Sequence, residues 1–190
     1  MRVTALIVLT VVAAPAFSGC GSSEPKEISI ADAAQALQST GEPVKFEALQ
    51  GFLPGTDAIA TAGWAKKEMT GMALTVPIKG SQASLTLKKG GSEVVIDIID
   101  TVFNQSLYAP VAAYLSNGFY SSDGSGYKKA VSIGGQPAFE EWNRKDRTGG
   151  ITVLVGKRFL VHVLGTDIDS MEPVTFVAGQ VDMTRLAALK

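Results

Sequence analysis

The stretch "ASLTLKKGGSEVVIDIID", Ala83 to Asp100, decides the fold. Ala83, Leu85 and Leu87 alternate with polar residues, and Val94, Ile96 and Ile98 keep the same period of two, which belongs to strands. Gly90-Gly91 divides the two runs, and glycine reaches positive φ without steric cost, as a tight hairpin requires. The second run is apolar at nearly every position, so both of its faces are expected to be covered. Its two carboxylates, Asp97 and Asp100, stand three residues apart and therefore point to opposite faces, where they cannot jointly hold a metal ion.

Strand-like runs continue on either side. "MALTVPI", Met72 to Ile78, completes a three-stranded antiparallel meander. Beyond it, "YKKAVSI" (Tyr127 to Ile133), "PAFEEWNRKDRT" (Pro137 to Thr148), "ITVLV" (Ile151 to Val155) and "FLVHVLG" (Phe159 to Gly165) form a second set. Gly134-Gly135, Gly149-Gly150 and Gly156-Lys157 separate these strands, the last as a two-residue hairpin. Helical spacing predicts helices over Pro43–Gly55, Ser106–Phe119 and two C-terminal pieces, with Asp169 or Ser170 and Asp182 as caps and a shorter lead-in over Ser29–Thr40, while "TDAIATAG" (Thr56 to Gly63) and "SSDGSG" (Ser121 to Gly126) read as loops. The order helix, three strands, helix, four strands, helix predicts an α+β fold. Its form is an antiparallel β-sheet with flanking helices in a layered sandwich, preceded by a signal peptide and a flexible tether.

Residues 3–17, "VTALIVLTVVAAPAF", follow Met1-Arg2 and are too short for a span of about 20 residues, so they read as the apolar region of an export signal. The single cysteine comes next, in "FSGC", and a Ser-rich polar tract follows it. Cleavage after Ala14-Pro15-Ala16 is the competing reading, and it would release a chain with a free thiol. The segment Phe17-Ser18-Gly19-Cys20 resembles the lipobox of bacterial lipoproteins, with Phe17 where leucine is usual. The resemblance implies that Cys20 takes diacylglycerol as a thioether and acyl chains such as palmitate. It implies three parts: a lipoprotein signal peptide over 1–19, a lipidated N-terminus and tether over 20–42, and a globular domain over 43–190. It also implies export to the cell envelope with the membrane as partner through Cys20. In a host with two membranes Gly21, which is not the retention Asp, favours the periplasmic side of the outer membrane.

From about Val44 onward, "FEALQGFLP" and "VLVGKRFLVHV" resemble a pattern in uncharacterised exported bacterial proteins, and the element order is similar to the α-β-α sandwich of PsbP-like domains. That likeness implies partner or ligand binding with no particular ligand.

Composition excludes more than it selects. A formal net charge of −1, with lysines scattered in ones and twos, excludes a nucleic-acid binder. His162 is the sole histidine and no G-x-S-x-G accompanies it, so hydrolysis using His162 is the most distant reading. One histidine and one cysteine cannot supply a zinc site, no phosphate-binding glycine loop is present, and no cofactor is expected. The expected role is therefore non-enzymatic: an accessory domain binding an envelope protein or a small apolar ligand. The alternative is an assembly or structural factor acting through a protein partner. The expected recognition surface is the hairpin around Trp142 and Arg144, because six of the eight residues from Glu140 to Arg147 are charged and large aromatics stand among them.

Overall fold

The computed structural model describes residues 41–75, 79–104 and 118–189, together with residues 112 and 115. Two short helices open it, α1 (Phe46–Gln50) and α2 (Thr56–Thr61). The strands are β1 (Ala65–Leu74), β2 (Gly80–Lys89), β3 (Ser92–Asp100), β4 (Tyr120–Ser122), β5 (Gly126–Ile133), β6 (Gln136–Asn143), β7 (Thr148–Val155) and β8 (Phe159–Thr166). Helices α3 (Glu172–Gly179) and α4 (Met183–Ala187) close it.

All pairings in the sheet are antiparallel, in the order β1-β2-β3-β8-β7-β6-β5-β4. Two meanders thus meet where β3 pairs with β8, which makes β3 an interior strand and accounts for its apolar sequence. Alternation sends Ala83, Leu85 and Leu87, Val94, Ile96 and Ile98, Ile151 and Val153, and Val161 and Val163 to one face, all of them buried. Leu49, Ile59, Val174, Val177, Met183 and Leu186 from the helices cover that face. Asp100 lies on the buried face and Asp97 on the other, as their spacing requires.

The expected α+β layered sandwich is not what forms. Strands hold 47% of the described residues and helices only 19%, which makes the fold β-rich. The helices with described bounds have five to eight residues. Pieces that short do not hold a helix by themselves and exist here as caps on one sheet face. The expected helix over Pro43–Gly55 shrinks to Phe46–Gln50, and the segment after Gly55, expected as a loop, forms α2 instead. Strand β1 starts at Ala65, well before Met72, and Tyr120–Ser122 adds a strand where a loop was expected. The expected helices over Ser29–Thr40 and, apart from residues 112, 115, 118 and 119, Ser106–Phe119 lie outside the described residues, as does the signal segment with Cys20.

Turn chemistry follows the sequence at Gly156-Lys157 but not at Gly149-Gly150, which lie inside β7 in register with Trp142 and Glu141 while the β6–β7 turn falls at 144–147. Gly156 and Lys157 both have positive φ, 58° and 60°, and the Arg158 N–H donates to the Val155 carbonyl at 3.1 Å, a two-residue mirror-image turn. Asp182 caps α4 by accepting the Arg185 N–H at 2.9 Å. Helix α3 starts at Glu172 with Met171 at the N-cap position and no side-chain cap bond, so neither Asp169 nor Ser170 caps it as expected, although the Ser170 hydroxyl accepts the Glu172 N–H at 3.3 Å.

A buried ion pair closes one end of the sheet. Arg158 donates from Nε to Asp100 Oδ1 at 2.9 Å and from Nη2 to Oδ2 at 2.8 Å. The same carboxylate accepts the Val44 N–H at 2.8 Å and the Val102 N–H at 2.9 Å. Arg158 Nη2 also reaches the Glu42 carbonyl at 3.1 Å, so Glu42, expected in the tether, touches the fold. Val102 and Phe103 carry positive φ, 51° and 60°, a conformation costly for β-branched and aromatic residues. The carboxylate holds the Val102 N–H, and the Phe103 ring stands 5.2 Å from the Arg158 guanidinium, so the ion pair fixes this strained turn.

Candidate functional site

The expected recognition surface, around Trp142 and Arg144, lies on β6 and the β6–β7 turn, and the charges of β6 pair with those of β5. Lys128 stands 3.2 Å from Glu141, and Lys129 stands 3.1 Å from Glu140. Tyr127 donates its hydroxyl to Glu140 at 2.6 Å. Burial, then that hydrogen bond and the Glu140 charge, push the Tyr127 phenol far above its ordinary value of 10.0.

Trp142 and Arg144 are placed differently from one another. Trp142 is half-buried and packs against the core. A Cβ at its cross-strand neighbour Gly149 would collide with Met171 Sδ and meet the Trp142 ring at 3.0 Å, so only glycine admits the indole and the thioether there. Arg144 is exposed in the β6–β7 turn, where its backbone N–H donates to the Ser125 carbonyl at 2.8 Å. Arg147, in the same turn, reaches Asp167 at 2.9 Å and Asp169 at 3.1 Å and ties the turn to the segment before α3.

Beside this turn the sheet carries a recess of about 290 Å³, bordered by Trp142, Asn143, Thr148, Ser121 and the Lys128–Glu141 pair. The Asp123 turn forms its rim. Asp123 Oδ1 accepts the Ser125 hydroxyl at 2.6 Å, the Ser125 N–H at 2.8 Å and the Gly126 N–H at 3.0 Å, and these donors hold its carboxyl below the ordinary 3.8. The recess presents hydroxyls, an amide and a balanced ion pair, groups that position a polar ligand by hydrogen bonds. A second cleft, of about 460 Å³, lies between Trp64, Ile168 and Phe176, with Lys89, Asp169 and Glu172 at its rim. Its apolar floor suits a small apolar ligand.

The half-buried sheet face carries a polar row that single-strand reading missed. Ser84, Asp97, His162 and Thr152 stand directly opposite one another on β2, β3, β8 and β7. Asp97 accepts from the Ser84 hydroxyl and from Gln82 Nε2, the latter at 2.9 Å, while the Thr152 hydroxyl lies 2.9 Å from His162 Nδ1. The sequence signal was one polar residue at mid-strand in three apolar runs, Asp97, Thr152 and His162, with Ser84 one of several polar residues alternating along β2, and only the register shows that the four align.

A hydroxyl beside an imidazole is one part of nucleophilic chemistry. Thr152 sits in the middle of β7, an interior strand whose backbone N–H groups are committed to β6 and β8, so the ladder leaves no donors for an oxyanion. Burial pushes the His162 pKa below its ordinary 6.5, against the weaker upward pull of Asp97 and Glu141. An imidazole kept neutral in the fold but free to protonate when unfolded makes stability rise with pH in this window. That contribution is whole above about pH 6.5 and is lost as the pH falls from there toward the lowered folded value. Thermal melts of the wild type should therefore fall between pH 7 and pH 5 more steeply than those of His162→Gln, and parallel curves would contradict the assignment.

Among the described residues no three His, Cys, Asp or Glu side chains are placed to hold a metal ion, and no helix is long and apolar enough to cross a membrane. The chain matches no protein-family model, no curated protein and no solved structure.

Proposed function

We propose that this chain is a membrane-anchored envelope lipoprotein whose β-rich domain binds a partner or ligand without catalysing a reaction. The observation that carries the reading is the recess beside Trp142 and the β6–β7 turn. There hydroxyl, amide and paired ionic groups surround a depression of about 290 Å³, on the strand set whose composition already marked it for recognition. The anchor is Cys20, supported by the small residues Ser18 and Gly19 before it and by the polar tract "GSSEPK" after it. Acyl chains contribute about 0.8 kcal/mol per buried methylene, so two or three of them hold a domain stably at a bilayer.

One experiment tests both halves. Envelopes are prepared from cells making the wild type, Cys20→Ser, or Trp142→Ala with Arg144→Ala, and each protein is recovered by affinity. The wild type is expected in the membrane fraction with a co-purifying partner or ligand, and Cys20→Ser in the soluble or precursor fraction. The double variant, shown to be folded by circular dichroism, is expected in the membrane fraction without the partner. Membrane retention of processed Cys20→Ser contradicts the anchor, and undiminished capture by the double variant contradicts the recognition surface.

A further inference from the structure

The edge of the sheet farthest from the recess carries a long strand, on which a side chain already rests: Gln50 Nε2 donates to the Thr70 carbonyl at 3.3 Å, a bond an added strand would have to replace. Strand β1 has ten residues, "AKKEMTGMAL", and every one of them is exposed. It is the outermost strand on its side, whereas the opposite edge is formed by β4, only three residues long. A short edge leaves little backbone for another chain to pair with, whereas a long one presents a row of free N–H and C=O groups.

The two halves of β1 differ. Its first part holds Lys66, Lys67 and Glu68 around a bulge, a combination that discourages pairing with other sheets. The second part, Thr70 to Leu74, has no charge and no proline. Met69, Met72 and Leu74 are 55%, 50% and 38% exposed. The charged part is net basic: Lys66 and Lys67 make no ion pair with any described residue, while nearby Lys88 is already paired with Glu93 at 3.0 Å.

We propose that β1 accepts an extended peptide segment as a ninth, antiparallel strand, and that the segment is apolar in its N-terminal half and acidic toward its C-terminal end. Antiparallel addition sets the start of the segment opposite Leu74 and its end opposite Lys67 to Ala65. Backbone hydrogen bonds supply the affinity, and the contrast between Met72–Leu74 and Lys66–Lys67 fixes direction and register. A second copy of this chain fits the edge less well. Self-pairing centred on Thr70 sets Lys66 opposite Leu74 and Lys67 opposite Ala73, charge against apolar. Self-pairing that brings Lys66 to Glu68 leaves the whole apolar half unpaired. The lysines need carboxylates that β1 does not itself provide.

The test uses the purified full-length protein and two blocked ten-residue peptides. Both alternate valine and threonine through six residues; one ends in four glutamates, the other in four lysines. The acidic peptide is expected to bind about tenfold more tightly, the sum of two exposed ion pairs. It should slow amide exchange in residues 65–74 and leave β5 and β6 unchanged. Lys66→Glu with Lys67→Glu should reverse the preference, and exchange in β3 and β8 reports that this variant is folded. Equal binding of the two peptides, or no slowing in β1 at millimolar peptide, overturns the proposal. So does a peptide-free dimer in which β1 is already protected, since a second copy would then occupy the edge.

Discussion

Asp100→Asn is expected to destabilise the domain by about 3–5 kcal/mol, the loss that follows when one partner of a buried ion pair is removed and the other is left in place. Arg158 is almost fully covered and its main partner carboxylate is fully buried, so the orphaned guanidinium has little access to water. The amide keeps only one accepting oxygen and turns an NH2 group toward the other N–H, so either Val44 or Val102 loses its acceptor, and the turn at Val102-Phe103 keeps its backbone strain with less to hold it. Urea unfolding measures the loss. A second readout distinguishes this mechanism from a general loosening: because the pair holds both Val44 and Glu42, the variant should be cut by protease near residue 44 before any strand is cut. Arg158→Met should cost a similar amount, and combining the two substitutions should cost clearly less than their sum, since neither charge is then left unpaired. A loss below about 1 kcal/mol for Asp100→Asn would show that the pair is not the closure of this sheet end.

The second large effect separates the two faces of β3 with one chemistry. Ile98 is fully buried between Ala83 and Val161, and Ile99, its neighbour, is half-buried on the other face between Gln82 and Leu160. Ile98→Ala is expected to cost about 2–5 kcal/mol, the transfer free energy of the lost methyl groups plus a cavity that the packed helices cannot fill. Ile99→Ala removes the same atoms from a site still touched by water and should cost about 1 kcal/mol or less. Equal losses would mean that the second face is as dry as the first, and would remove the ground for treating it as an available surface.

Ile98 and Ile99 also show what was legible in the sequence. Local alternation and the glycines at 90–91, 134–135 and 156 placed most strands between Ala83 and Asp100 and between Tyr127 and Gly165, because antiparallel neighbours joined by two-residue turns need only short-range information. Gly149-Gly150 misled, since both lie inside β7 and the turn before it is the four residues 144–147. Long-range partners were invisible. Asp100 and Arg158 are 58 residues apart, and nothing in either local window announces the other. The polar row from Ser84 to Thr152 likewise exists only once β3 has docked on β8. Strand β1 was placed too late because an edge strand exposed along its whole length has no reason to alternate. Helix was overestimated because apolar residues such as Leu49 and Leu53 fit a helical stripe, while Gly51 and Pro54-Gly55 end the turns after Gln50. The recess lies beside the hairpin that the sequence marked, but its lining was not legible from single residues. Trp142 spends much of its area on the core and on Gly149, and the groups that open on the depression include Asn143, Thr148 and Ser121.

The central claim is that this domain is held at a membrane through Cys20, and the mass of its N-terminal peptide tests that most directly. Protein extracted from envelopes with detergent and digested should yield a peptide that begins at Cys20 and carries a diacylglyceryl thioether with palmitate-class acyl chains. A peptide that begins at Phe17, with the Cys20 thiol free, would show cleavage after Ala16 and would contradict the account.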